Sequence, residues 1–283
     1  MLPFEPDNVL VNEVIASPNH GQRAANRSPD MLLLHYTGMP SPEEALERLC
    51  SAASVVSCHY YISEQGRIFQ LVPEELRAWH AGEGSWAGET DINSCSIGIE
   101  IDNPGHDYGY PDFSKRQIAA VTALGRAILR KRNIPAERVL AHSDVAPSRK
   151  QDPGEKFPWG LMHKCGIGHW TQPAPLTQGP RFEIGDSGDA VRSFQAALQD
   201  YGYGVPTHGE FDVHTQDVVL AFQRHFRPEQ CDGSMDSSTL KTLGKLLETR
   251  PGARGRFSPD PALNAPPSPN DRAEAKPDAD DAS

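Results

Sequence analysis

The stretch Ser96-Ile-Gly-Ile-Glu-Ile-Asp102 constrains this chain more than any other. Its strict alternation puts Ile97, Ile99 and Ile101 on one face of a strand, and Gly98, Glu100 and Asp102 on the other. Met31-Leu-Leu-Leu34 is a short apolar run that reads as a buried strand ending at His35, Tyr36 and Thr37. Val139-Leu-Ala141 is another, and it delivers His142 at its end. His59–Ile62 and Arg67–Val72 flank Glu64-Gln65-Gly66 and predict a hairpin. Helices intervene. Ser41-Pro42-Glu43-Glu44 supplies an N-cap, a proline at the first helical position and a capping-box glutamate, so a helix runs to about Cys50. Ser114 and Gln117 open a second, carried by Ile118, Val121, Leu124, Ile128 and Leu129 and ended at Asn133-Ile134-Pro135. Strands mixed with helices, with polar residues at strand ends, indicate an α/β or α+β catalytic domain over residues 30–172.

Around this domain the pattern changes. Residues 1–29 hold Pro, Asn and Ser with little periodicity and read as an extended lead-in. Thr171–Pro180 is a linker by composition, giving a connecting stretch over 173–183. Beyond it, Gly209-Glu-Phe-Asp212-Val-His-Thr215 is echoed by Gly233-Ser-Met-Asp236-Ser-Ser-Thr239. Val218, Val219, Phe222 and Phe226 follow the first segment, and Leu240, Leu243 and Leu247 follow the second. A small helical domain over 184–248 fits this repetition. Residues 249–283, proline-rich and poor in large apolar side chains, are expected to be a disordered tail.

Composition excludes some functions. With 27 basic and 38 acidic side chains the formal charge is −11, which argues against nucleic acid as a partner. No apolar run is long enough for a transmembrane segment. The N-terminus shows no basic, apolar or lipid-anchoring signal. Five cysteines at unpaired spacings suggest reduced thiols, not a disulfide framework. Together these features lead to an expectation of a cytoplasmic protein, taken as a monomer.

Eleven histidines are too many for all to be functional. His35 and His142 both fall at strand ends, and Asp152 follows shortly after. Two imidazoles and a carboxylate suit a three-ligand zinc site with the fourth position open to water. A strand-end histidine is more often packed or exposed, so spacing alone leaves this open. Glu100 is a candidate proton carrier, against the alternative of a solvated glutamate on an exposed sheet face. Lys150 is two residues before Asp152. In an extended segment both project the same way, so its ammonium could offset charge on a carbonyl oxygen, although a solvated lysine beside Arg149 is the commoner case. Other candidates carry less. Ser143 lacks a nucleophile-elbow motif, and Cys58 and His59 should point to opposite faces. His80 is at least as readily a packing residue. Trp79 and Trp86 could line a sugar or peptide groove or sit in the core.

Six ordered blocks carry a resemblance: Leu32-Leu-Leu-His35-Tyr-Thr, Ser57-Cys-His-Tyr60, Arg67–Pro73, Ala78-Trp-His-Ala-Gly82, Ser96-Ile-Gly-Ile-Glu100 and Ala141–Gly154. Together they resemble the zinc-dependent type-2 N-acetylmuramoyl-L-alanine amidases, a superfamily that includes peptidoglycan recognition proteins. The resemblance implies a mixed central sheet flanked by helices. It also implies zinc on His35, His142 and Asp152, a catalytic Glu100, and Lys150 stabilising the tetrahedral intermediate. The implied reaction is hydrolysis of the amide between N-acetylmuramic acid and L-alanine in peptidoglycan or muropeptides. A recognition protein that does not cut is the alternative, although such proteins typically lack a metal ligand. Gly185–Val191, Phe194-Gln195, Gly209–Thr215 and Ala221-Phe-Gln223 resemble a three-helix peptidoglycan-binding domain. This domain order is similar to the outer-membrane lipoprotein amidases of Gram-negative bacteria, which implies the cell envelope as the alternative compartment.

Overall fold

The computed structural model describes residues 3–251; the tail expected over 249–283 lies outside the described residues from 252 onward. The elements are β1 (Glu13–Val14), β2 (His20–Gln22), β3 (Met31–Tyr36), α1 (Pro42–Cys50), β4 (Tyr60–Ile62), β5 (Ile68–Gln70), β6 (Leu76–Ala78), α2 (Ile92–Cys95) and β7 (Ser96–Ile101). They continue with α3 (Lys115–Arg132), β8 (Val139–Ala141), α4 (His142–Val145), α5 (Trp159–Lys164), α6 (Asp189–Tyr201), α7 (Val213–Phe226) and α8 (Ser237–Thr249). Six strands form a mixed sheet in the order β1-β5-β4-β7-β3-β8. Only the β4–β5 hairpin is antiparallel within it. β2 and β6 pair apart as a two-stranded ribbon.

Local signals set the helix starts. The Ser41 hydroxyl accepts the Glu44 N–H at 3.2 Å ahead of Pro42. Ser114 and Gln117 form a reciprocal capping box, and Asn133 ends α3 in a left-handed conformation at φ 53°. The buried residues Ile118, Val121, Leu124 and Ile128 of α3 cover Leu32, Leu34, Ile97, Ile99 and Ile101 on one face of the sheet.

The other face is covered in two parts. Ala45 and Leu49 of α1 pack with Tyr61 and Phe69 of the hairpin. Met31, Leu33 and Leu140 instead join a core that runs on through Phe194, Leu198, Phe222 and Leu243 of the C-terminal helices. The sheet therefore uses α6, α7 and α8 as one of its layers.

Within the lead-in expected over residues 1–29, the described residues 3–29 are tied into the fold. β1 adds an edge strand to β5, and Ser17, Asn19 and Arg23 are buried. Arg23 donates to the backbone oxygens of Glu74, Asn93 and Ser94. Strands of two and three residues are too short to show alternation, and their partners are distant in sequence.

The sequence echo is a structural one. Asp212 and Asp236 cap α7 and α8 by accepting the N–H groups of Thr215 and Thr239, at 2.8 and 2.7 Å. Gln195 and Gln223 each accept the N–H of the turn glycine, Gly209 and Gly233, both at 2.8 Å. The linker is also engaged, since the Ala174 N–H donates to Thr242 of α8 at 3.0 Å.

Candidate metal centre

Register brings the candidate residues to one end of the sheet. His35 on β3 lies opposite Glu100 on β7, and Leu34 lies opposite Ala141 at the end of β8. The chain turns there into α4, which begins with His142. Three strands thus finish side by side at their carboxyl ends, where parallel sheets hold ligands. The loop carrying Asp152 is tied to the same turn, because the Ser143 N–H donates to the Asp152 carbonyl at 3.1 Å.

His35, His142 and Asp152 are buried and converge. The two Nδ1 atoms are 2.9 Å apart, and Asp152 Oδ2 is 3.1 Å from His35 Nδ1 and 3.0 Å from His142 Nδ1. Ligand atoms around a tetrahedral ion with bonds of about 2.0–2.2 Å sit roughly 3.3–3.6 Å apart, so the triangle has the size of such a site drawn in by a few tenths of an ångström.

The proton positions follow from the outer partners. The Ile92 carbonyl can only accept, so the Ser96 hydroxyl donates to it at 2.6 Å. Ser96 Oγ then receives the Nε2–H of His80 at 3.3 Å. His80 Nδ1 is left to accept the Nε2–H of His35 at 3.1 Å, and His35 Nδ1 carries a lone pair. The Ala81 carbonyl accepts the Nε2–H of His142 at 2.9 Å, which makes His142 Nδ1 a lone pair as well. Burial, and next the neighbouring His142, push His35 down to about 4, so it is neutral near pH 7. Two lone pairs and a carboxylate oxygen therefore meet with no proton among them. Such a set is self-repelling without a cation and suits a divalent one.

His80 and Ala81 support one imidazole each, and Asn93 fixes both. Its Oδ1 accepts the N–H of His80 at 3.0 Å and that of Ala81 at 2.9 Å. Glycine is required opposite: a Cβ at Gly98 would come within 2.6 Å of the His80 ring. This outer shell went unassigned in the sequence, where His80 reads equally well as packing. The signal was the Trp79-His-Ala-Gly82 block itself.

Glu100 shares the His35 face of the sheet, and its Oε2 is buried with no hydrogen-bond partner among the described residues. Burial, then the charge of Asp152, raises it well above the ordinary glutamate value, while Lys150 pulls it down. A cleft of about 430 Å³ is lined by Glu100, His142, Lys150, Asp152, Trp79 and Arg48, among others. Lys150 is exposed, and its segment is an irregular turn, not an extended strand, yet it reaches the same cleft. Trp79 and Trp86 part company. Trp79 lines the cleft, whereas Trp86 is buried against Tyr201 and Tyr203. Ser143 is fully buried, and Cys58 is buried with its thiol pushed far up by desolvation.

Comparison with known proteins places the chain in a family. Residues 25–155 match the N-acetylmuramoyl-L-alanine amidase family, and residues 187–243 match a putative peptidoglycan binding domain. The chain is 35% identical over 237 residues to N-acetylmuramoyl-L-alanine amidase AmiD of Escherichia coli, spanning 77% of this chain and 82% of that protein. It is 34% identical over 162 residues to 1,6-anhydro-N-acetylmuramyl-L-alanine amidase AmpD of the same organism, spanning 51% of this chain and 86% of that one. A solved structure of E. coli AmiD with the substrate anhydro-N-acetylmuramic acid-L-Ala-D-gamma-Glu-L-Lys superposes at a TM-score of 0.68 and 34% identity, covering 80% of this chain and 91% of that one. Likeness of this extent, longer than the sheet domain alone can account for, makes the chain a member of the N-acetylmuramoyl-L-alanine amidase family.

Proposed function

We infer that this protein hydrolyses the amide joining N-acetylmuramic acid to L-alanine in peptidoglycan or its muropeptides, with zinc held by His35, His142 and Asp152. One observation carries the reading: two imidazoles and a carboxylate converge on one point, and two of them, His142 and Asp152, line a cleft with a glutamate whose buried oxygen has no partner among the described residues. Bound in the triangle, zinc supplies Lewis acidity and makes a water acidic enough to ionise near neutral pH.

The remaining work falls to the chain's own groups. Glu100 takes the proton of the attacking water at its free oxygen and passes it to the departing amine. Lys150, at the cleft wall, offsets the negative charge that grows on the attacked carbonyl oxygen. Trp79 offers an apolar surface to a sugar ring. We assign residues 30–172 as the catalytic unit and 184–248 as a module for the glycan or peptide of the wall, joined by 173–183. The two family matches fall within or close to these bounds.

The direct test is incubation of the full chain with isolated muropeptides, untreated, chelated, and chelated then resupplied with zinc, with products read by mass spectrometry. Release of a stem peptide with a free L-alanine amine, lost on chelation and regained with zinc, is expected. Muropeptides that stay intact in every arm while still binding would replace hydrolysis with recognition alone.

A further inference from the structure

We infer that Asp144 is a positioning residue for His142, and that the C-terminal helices complete it, so that the module is part of the metal centre's scaffold. This rests on the reading that the triangle holds zinc.

Asp144 lies in α4, two residues after His142, and its side chain is wholly buried. Its carboxylate accepts three hydrogen bonds. The Ala141 N–H donates to Oδ2 at 2.8 Å, closing the turn on the residue that enters His142. The other two donors come from beyond the linker: the Tyr203 hydroxyl at 2.7 Å to Oδ1, and His225 Nδ1–H at 2.7 Å to Oδ2. Both donors are themselves buried. His225 is held flat between Trp159 and Phe226, with ring centroids 3.7 and 3.8 Å away. Trp86 packs edge-on to Tyr203 at 4.9 Å.

Apolar contact alone would dock the module, since the core is continuous across the linker. A buried carboxylate at the centre of that contact adds direction, because its hydrogen bonds form at one register of module on turn. The turn so fixed carries His142. Through the Ser143 N–H it also carries the backbone of Asp152. A displaced module would therefore loosen two of the three ligands together.

The test uses the full chain. Tyr203→Phe removes one hydroxyl and keeps the ring. His225→Phe keeps the stack and removes the donor. Zinc dissociation constants, by competition with a chromophoric chelator, are compared for wild type, each single variant and the double variant. Phe194→Leu, in the core of the same module but not bonded to Asp144, serves as the control. The double variant is expected to bind zinc weaker by about tenfold, with Tyr203→Phe alone showing part of that loss. At limiting zinc kcat should fall with KM unchanged, and excess zinc should restore it. Phe194→Leu should lower the unfolding temperature without moving zinc affinity. The proposal is overturned if Tyr203→Phe and the double variant stay within twofold of wild type, or if Phe194→Leu weakens zinc equally. Should the double variant not fold, Tyr203→Phe decides alone. Absence of zinc binding in the wild type would instead overturn the metal assignment, a separate result.

Discussion

Asp144 and Asp152 are two buried aspartates on the same stretch of chain, each with a carboxylate oxygen within 3.0 Å of an imidazole nitrogen, and their surroundings are opposite. Asp144 meets three hydrogen-bond donors and is complete as it stands. Asp152 Oδ2 meets two imidazole nitrogens whose protons point away, to His80 and to the Ala81 carbonyl. Buried polar groups are normally satisfied within the protein. A finished carboxylate therefore reads as structure and an unfinished one as a place for a ligand. Burial and sequence neighbourhood do not separate the two. The direction of the protons does.

Substituting each aspartate in turn separates them by the largest margin. Asp152→Ala is expected to abolish turnover and zinc retention while leaving the metal-free protein as stable as wild type, because it removes one member of a self-repelling set. Asp144→Ala is expected to destabilise the metal-free protein by about 3 kcal/mol, since it strands the buried Tyr203 and His225 donors. Zinc content by elemental analysis and urea unfolding of the chelated proteins provide the check. Equal destabilisation by the two substitutions would break the distinction.

Glu100 is the second unfinished carboxylate, and the next effect in size. Glu100→Gln keeps the shape and removes the proton acceptor. Zinc should stay bound, and kcat should fall by about 10²–10⁴. A variant that lost zinc instead would make Glu100 a ligand, and the triangle would need redrawing.

These contrasts show which parts of the molecule were legible beforehand. Ser41, the Ser114–Gln117 box, and Asp212 and Asp236 act within four residues of where they stand, so their helices could be read directly. The isoleucine alternation of β7 likewise announced its two faces. The metal triangle was reached through resemblance. Spacing could not supply it, because convergence depends on β3 pairing with both β7 and β8, a property of register between distant segments. The docking of the module was not legible at all. Tyr203 and His225 look like ordinary members of a helical domain, and nothing local says that Met31 and Leu33 will be covered from beyond the linker.

The outer shell predicts a smaller effect than the ligands. His80→Ala leaves the His35 Nε2–H without its acceptor, frees the ring to turn, and should weaken zinc binding by about 10–100-fold. Turnover at saturating zinc should recover most of its value, which separates a positioning role from contact with substrate. Unchanged zinc affinity would return His80 to the packing role that the sequence also allowed.

His169 gives the smallest effect, and it is a finished polar site like Asp144. Tyr201 is raised far above its ordinary value by burial, so its hydroxyl stays protonated and donates to His169 Nδ1 at 2.9 Å. The Thr249 hydroxyl donates to the Lys245 carbonyl at 2.8 Å, which leaves its oxygen to accept His169 Nε2–H at 3.1 Å. The neutral ring is thus satisfied on both sides and has no place for a second proton. Burial, and next His163, lower it from 6.5 to about 4. With the folded value below the unfolded one, the unfolded chain takes up the proton first. The stability this residue contributes is therefore complete above pH 6.5 and drains away as pH falls towards 4, at up to about 1.4 kcal/mol per unit. His169→Gln should shed that slope, and the gap between variant and wild type in urea unfolding of chelated protein should narrow as pH falls from 6.5 to 4. Parallel curves across that interval would mean that the ring accepts its second proton in place, and that this contact between the end of the catalytic unit and the module is looser than its hydrogen bonds imply.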